Sequence, residues 1–168
     1  ILQATIPEAM VDTDINESYT SDVSIDTEKY TIGIGSGIGT LPQTKKALAK
    51  LLEFHRKPMV IDADALNIIS TDNQLKYRIP AHSILTPHPL EFERLIGQHC
   101  KNGYDRLQHA RNFASEYKVY IVLKGAYTAI ITPEKQVYFN PTGNPGMATG
   151  GSGDTLTGIL TSLLAQGY

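Results

Sequence analysis

The sequence holds a single cysteine, Cys100, in 168 residues. One thiol cannot build a disulfide framework or a cysteine-based metal site, and a reducing, cytoplasmic setting is the expectation. Charge of neither sign dominates: Lys and Arg number 15 against 17 Asp and Glu, a formal net charge of −2. No basic stripe points to nucleic acid, and no acidic tail points to a disordered partner segment. Long apolar runs are also missing. None approaches the ~20 residues a membrane span needs, and no signal-peptide pattern is present.

What is there is 41% hydrophobic and 19% charged, enough to bury one core as a single domain over residues 1–168. The chain starts Ile1-Leu2-Gln3 without an initiator methionine and stops in a helical pattern at Gly167-Tyr168. It is therefore expected to be truncated at both ends. Ala4–Val11 holds a Pro-Glu-Ala-Met segment, and Asp12–Glu28 is polar and acidic, expected as a surface loop with a short strand.

From Tyr30 the rhythm is regular. Tyr30–Ile34, Met59–Ile61, Ser83–Leu85 and Val119–Leu123 read as strands. Ala129–Thr132 and Val137–Phe139 read as a hairpin across Pro133-Glu134-Lys135. Between them lie helical patterns. One carries Ala47, Leu48, Leu51 and Leu52 on one face, with Thr40 expected to cap it and Pro42 in its first turn. Others cover Leu66–Ile69, Glu91–Ile96 and Tyr104–Tyr117, and a last one carries Leu156, Ile159, Leu160, Leu163 and Leu164. Strands alternating with helices imply an α/β fold, a mostly parallel sheet with helices on both faces. Ligands of such sheets gather at the carboxyl ends of the strands. Gly33–Gly39, Asp62–Asp64, Thr86–Pro89 and the Asn140–Asp154 loop are all expected along that edge.

Gly33-Ile34-Gly35-Ser36-Gly37-Ile38-Gly39 does not have the Rossmann dinucleotide spacing, because Ile38 or Thr40 falls where the third glycine belongs. It reads as a tight strand-to-helix turn or as bare backbone on which a ligand lies closely. Thr86-Pro87-His88-Pro89 is a rigid turn, since two prolines fix φ and force extended conformations before them. It also holds His88 in one position over the sheet. Lys124-Gly125-Ala126-Tyr127-Thr128 offers a cation and hydroxyls to a phosphate or ribose, and would equally suit the start of a hairpin.

The strongest motif is Asn144-Pro145-Gly146-Met147-Ala148-Thr149-Gly150-Gly151-Ser152-Gly153-Asp154, running straight into an apolar helix. Gly150, Gly151 and Gly153 leave backbone amides uncovered at a helix N-terminus, an anion site made by orphan donors and the helix dipole. A Walker A loop is excluded because no lysine follows the glycines. Asp154 is either a helix N-cap or a general base beside a bound phosphoryl group. A cap alone needs no preceding run of glycines.

Gly-x-Gly-Asp at a helix start resembles the anion hole and catalytic base of ribokinase-like kinases. The longer stretch Asn144–Asp154 with Gly158 resembles the signature of the ADP/ATP-dependent NAD(P)H-hydrate dehydratases. Gly35–Gly39, Thr86–Pro89, Lys124–Thr128 and Pro7–Met10 agree with that family in order. Ser36 stands where its members usually have proline, and Leu90 where they have glycine.

The resemblance implies a ribokinase-like fold and a repair reaction. The 6-hydroxyl of (6S)-hydrated NADH or NADPH is phosphorylated by ADP or ATP, and the phosphate leaves to restore the ring double bond. It implies substrate contacts from Gly37 and His88, with Asp154 as base and substrate contact. It implies a nucleotide site from Lys124, Gly125, Ala126, Tyr127, Thr128 and Gly153, and an anion hole from Gly150, Gly151, Ser152 and Gly153. Mg²⁺ is expected with the nucleotide, on ligands the motifs do not name. Bacterial members imply ADP as donor, a homo-oligomer such as a tetramer, and in many cases a fused epimerase domain. Two other readings remain open here: a hydroxymethylpyrimidine- or hydroxyethylthiazole-type small-molecule kinase, and a non-catalytic nucleotide-binding fragment.

Overall fold

The computed structural model describes residues 2–17, 19–23, 25–26 and 29–168. After the short helix α1 (Leu2–Thr5), the elements run β1 (Gly33–Ile34), α2 (Pro42–Phe54), β2 (Val60–Ile61), α3 (Ala63–Ser70) and α4 (Asn73–Lys76). There follow β3 (Ile84–Leu85), α5 (Pro89–Ile96), α6 (Gly103–Tyr117), β4 (Tyr120–Leu123), β5 (Thr128–Ile131) and β6 (Val137–Asn140). A single 3₁₀ turn at Pro145–Met147 precedes α7 (Ser152–Ala165).

The six strands form one sheet in sequence order, β1 to β6. β1 through β4 are parallel, and β4-β5-β6 is an antiparallel meander. The hairpin expected around Pro133–Lys135 is therefore present, as are the four parallel strands ending at Ile34, Ile61, Leu85 and Leu123.

Register explains how the two faces of the sheet differ. Ile34, Ile61, Leu85, Ile121 and Ile131 are successive cross-strand partners in one row. All but Ile34 are fully or almost fully buried, in a core shared with Leu48, Leu52, Leu66, Phe92 and Ala114. Each such side chain contributes roughly 1.5–3 kcal/mol on burial. Right-handed crossovers between neighbouring parallel strands put α2, α3, α5 and α6 on this one face. The other row is Gly33, Val60, Ile84 and Tyr120, continued by Val122, Ile130 and Tyr138. α7 covers it chiefly at β1 and β2. Away from α7 the row opens, and Ile130 and Tyr138 are exposed together with Ile159 and Leu163 of α7.

Gly33 shows how closely α7 lies: a Cβ there would meet Thr161 Oγ1 at 2.2 Å.

Two local expectations are corrected. Thr40 does not cap α2. Leu41 occupies the cap without a side-chain bond, and Pro42 with its preset φ starts the helix. Among the described residues of the acidic stretch 12–28 there is no strand. Instead the Asp14 carboxylate accepts the Asn16 amide (2.9 Å) and the Ser21 hydroxyl (2.8 Å), a local alternative to ladder pairing. The Asn16 amide, with Ser21, holds that carboxyl well below the usual range. Among the described residues, no helix is long and apolar enough to cross a membrane.

Candidate functional site

The carboxyl ends of β1–β4 carry four turns, and hydrogen bonds tie them into one edge. Asp64, in the first turn of α3, fastens the glycine turn at both ends. Its amide donates to Gly35 O (3.2 Å), and its Oδ2 accepts the Gly39 amide (2.9 Å). The glycines of this turn have different tasks. Gly35, at φ +135°, lies against the Asp62 carbonyl, where a Cβ would sit 1.8 Å from the oxygen. Gly37 and Gly39 also have positive φ, but a Cβ on either would meet nothing within 4 Å. Protein backbone requires Gly35. The space above Gly37 is open.

Thr86-Pro87-His88-Pro89 follows β3. His88 is the N-cap of α5: its Nδ1 accepts the amides of Leu90 (3.2 Å) and Glu91 (3.3 Å), while Glu91 Oε2 accepts the His88 amide (2.8 Å). This reciprocal box gives Nδ1 the acceptor's part, and the ring's other nitrogen lies 3.4 Å from Glu91 Oε1. The rigid turn and the fixed histidine of the sequence reading are one device.

Lys124, directly after β4, is tied to this turn through its amide, which donates to Pro87 O (2.9 Å). Its ammonium lies 2.9 Å from Asp62 Oδ1 and 4.0 Å from Glu91 Oε2. Asp62 directly follows β2 and is 2% exposed. Its second oxygen accepts the Thr157 hydroxyl at 3.1 Å. Ala63, the next residue, is held at φ +44°, a left-handed conformation that costs a residue with a Cβ about 1–3 kcal/mol and that concentrates at functional sites. A cleft of about 410 Å³ opens beside Lys124 and Gly125, walled by Tyr104, Arg106, Tyr127 and Phe139.

The last loop reaches the same edge. At Gly143 a Cβ would come within 2.5 Å of Ala126 O, so the chain crosses directly over the Lys124–Thr128 turn. α7 then begins at Ser152 with Gly151 as its cap, at φ +88° and without a side-chain cap bond. Asp154 is thus the third residue of the helix and exposed; the cap is not its position. The Ser152 amide bends back to Thr149 O at 3.4 Å. The next amides, of Gly153 and Asp154, have no intrahelical partner and face outward from a helix N-terminus. Lys124 stands beside them: a Cβ on Gly153 would be 3.5 Å from Asp62 Oδ2 and 3.8 Å from the Lys124 ammonium.

The structure therefore brings Lys124, Gly153, Asp154, His88 and the glycine turn to one edge. The residues that connect them, Asp62, Asp64, Glu91 and Thr157, carry no role in the sequence reading. The positional signal for two of them was present, since Asp62-Ala63-Asp64 directly follows an apolar parallel strand. Among the described residues, no group of three or more His, Cys, Asp or Glu converges to hold a metal ion.

A parallel sheet with an uncovered helix N-terminus and a carboxylate over its edge is the arrangement of the ribokinase-like class. The chain superposes on a ribokinase-like superfamily protein from Enterococcus faecalis with TM-score 0.66 and 31% identity, over 83% of this chain and 49% of that one. Within that class the chain belongs to the NAD(P)H-hydrate dehydratase family, whose model matches residues 1–168.

The ADP-dependent (S)-NAD(P)H-hydrate dehydratase of Neisseria meningitidis serogroup B is 40% identical over 168 residues, 98% of this chain and 55% of that protein. The bifunctional NAD(P)H-hydrate repair enzyme Nnr of Moorella thermoacetica is 47% identical over 137 residues, 81% of this chain and 26% of that protein. The chain thus spans about half the length of the first relative and a quarter of the second. An ADP/ATP-dependent NAD(P)H-hydrate dehydratase from Bacillus subtilis, co-crystallised with ATP/Mg²⁺, superposes with TM-score 0.63 and 31% identity, over 82% of this chain and 50% of that one.

Proposed function

We propose that the full-length protein repairs hydrated nicotinamide cofactors. It transfers a phosphoryl group from ADP or ATP to the 6-hydroxyl of (6S)-hydrated NADH or NADPH, and loss of phosphate with the C5 proton restores the ring double bond. The observation that carries this reading is that the Lys124 ammonium stands beside Gly153 at the start of α7, where the amides of Gly153 and Asp154 are bare and Asp154 is exposed in the first turn. Phosphoryl transfer asks for little covalent chemistry from a protein. It needs positioning, positive potential on the equatorial oxygens, and an acceptor for the hydroxyl proton. Lys124 and the helix amides supply the potential, with Gly150, Gly151 and Ser152 completing the anion hole, and Asp154 accepts the proton.

Lys124, Gly125, Ala126, Tyr127, Thr128 and Gly153 hold the nucleotide. The open backbone at Gly37 and the exposed part of the His88 ring contact the hydrated cofactor. Mg²⁺ would accompany the nucleotide and neutralise charge on its phosphates there. This takes no dedicated cage from the chain and fits an edge whose acidic groups Asp62 and Glu91 are already engaged. ADP is the preferred donor, as for the ADP-dependent dehydratase of Neisseria meningitidis. The protein works as a cytoplasmic homo-oligomer.

The direct test is the purified full-length protein with hydrated NADH, ADP or ATP and Mg²⁺, read by recovery of reduced-nicotinamide absorbance. Hydroxymethylpyrimidine and hydroxyethylthiazole serve as competing substrates. Turnover of either precursor without turnover of hydrated NADH overturns the proposal.

The nucleotide assignment has its own check. Lys124→Ala is expected to weaken ADP or ATP by ~10–100-fold, the size of one charge-assisted hydrogen bond, and the hydrated cofactor by no more than ~3-fold. Titration calorimetry of each ligand reads both. The variant also deprives buried Asp62 of its counter-ion, so its melting temperature falls. An unchanged nucleotide affinity makes Lys124 structural.

A further inference from the structure

We propose that Asp62 is the positioning residue of this edge: it fixes the Lys124 ammonium and the first turns of α7 against one another, so that cation and anion hole are assembled before a nucleotide arrives. The inference rests on the phosphoryl-transfer reading for its purpose, but not for its geometry.

Asp62 touches nothing outside the protein, being 2% exposed. It therefore acts through its neighbours. Its two oxygens are divided between two elements far apart in sequence. Oδ1 takes the Lys124 ammonium at 2.9 Å across 62 residues, and Oδ2 takes the Thr157 hydroxyl at 3.1 Å across 95. Thr157 sits one helical turn beyond Asp154, on the buried side of α7. The bond thus sets the height and rotation of the helix end that presents Asp154. Gly153 closes the third side: a Cβ there would stand in ordinary contact, 3.5 Å from Asp62 Oδ2 and 3.8 Å from the Lys124 ammonium.

Two further observations separate this from ordinary packing. Ala63, directly after Asp62, is held in left-handed backbone, which persists only where surrounding structure dictates it. A buried ion pair is also a weak device for stability, since apolar residues of equal volume commonly serve as well. What the pair provides is a unique arrangement of two elements.

Misplacing reacting groups by about 1 Å costs on the order of 10²-fold in rate, and this sets the expected signature. In the full-length protein, Asp62→Asn keeps the shape and the bond from Thr157 but loses the charge that orders Lys124. Thr157→Val loses the hydroxyl alone. Each is expected to lower kcat ~10–100-fold with the nucleotide KM within ~5-fold. The double variant should be no worse than the more impaired single one, because the two bonds lie in series through one carboxylate and losing either uncouples Lys124 from α7.

Hydrogen exchange gives a readout that needs no turnover. Amides of residues 155–158, in the first hydrogen-bonded turn of α7, should exchange ~10-fold faster in Thr157→Val, with the rest of the sheet unchanged. Protection and kcat both at wild-type values in Thr157→Val overturn the proposal, as does an additive double variant. If wild-type protein shows no turnover of hydrated NADH, the functional reading falls, and the exchange result alone decides Asp62. Selective loosening upholds its role, and unaltered protection ends it. If Asp62→Asn fails to fold, Thr157→Val carries the same decision.

Discussion

Gly35→Ala is expected to be the most destabilising single substitution along the ligand edge, at about 2–6 kcal/mol. Two costs add. Gly35 sits at φ +135°, where a residue with a Cβ is strained by ~1–3 kcal/mol. Its Cβ would also stand 1.8 Å from Asp62 O and 2.7 Å from the carbonyl carbon. The obstacle is backbone rather than a side chain that can swing away, so β1 must separate from the start of α3; forced overpacking of this kind costs ~1–3 kcal/mol more. For a chain of this size the loss corresponds to a melting temperature lower by roughly 10 °C.

Gly37→Ala is the control. It shares the left-handed backbone, at φ +67°, but has open space where the Cβ would go, so it should cost no more than ~1–3 kcal/mol. Thermal and denaturant unfolding of both variants read the difference. Equal losses at the two positions would mean that the contact with Asp62 does not govern the turn.

That contrast also marks how far the site could be read from sequence. Seven residues with four glycines announced bare backbone, and position after a strand announced the ligand edge. Gly37 and Gly39 do stand as bare backbone, with open space where a Cβ would go. For Gly35 the reason is a carbonyl 27 positions on, brought near by pairing of β1 with β2. Nothing local encodes that contact.

The same limit applies to Asp62 and Thr157. Asp62 is marked only by its position after a strand and Thr157 by nothing, and the bond between them exists only once β2 and α7 are packed. The parallel strands were legible because buried parallel strands are continuous apolar runs. The one-turn helix α4, capped by Asp72, is too short for any periodicity to show. His88 was recognised as fixed by its prolines. Its imidazole nitrogen replacing the usual Ser, Thr, Asp or Asn at a cap was not foreseeable from composition.

Asp154→Asn is expected to abolish nearly all turnover while leaving fold and ligand binding in place. The third position of α7 decides what the substitution removes. Gly151 is the cap and makes no side-chain bond, so no capping interaction is lost. A carboxylate in the first turn does complement the helix dipole, and an amide forgoes about 0.3–1 kcal/mol of that. Melting should therefore shift by only a few degrees.

What Asn cannot do is accept a proton. As the phosphoryl group reaches the hydroxyl oxygen, the departing proton needs a base within hydrogen-bond reach, and such help is typically worth ~10²–10⁴-fold. The amides of Gly153 and Asp154 and the Lys124 ammonium remain in the variant, so ADP or ATP and the hydrated cofactor should bind within a few-fold of wild type. Three measurements on the full-length protein belong together: kcat for recovery of reduced nicotinamide, calorimetric affinity for each ligand, and melting temperature. A kcat reduced at least ~100-fold, with the other two preserved, assigns the base. A kcat within a few-fold of wild type assigns the proton to another acceptor, and leaves Asp154 as a charge tuning the end of the helix.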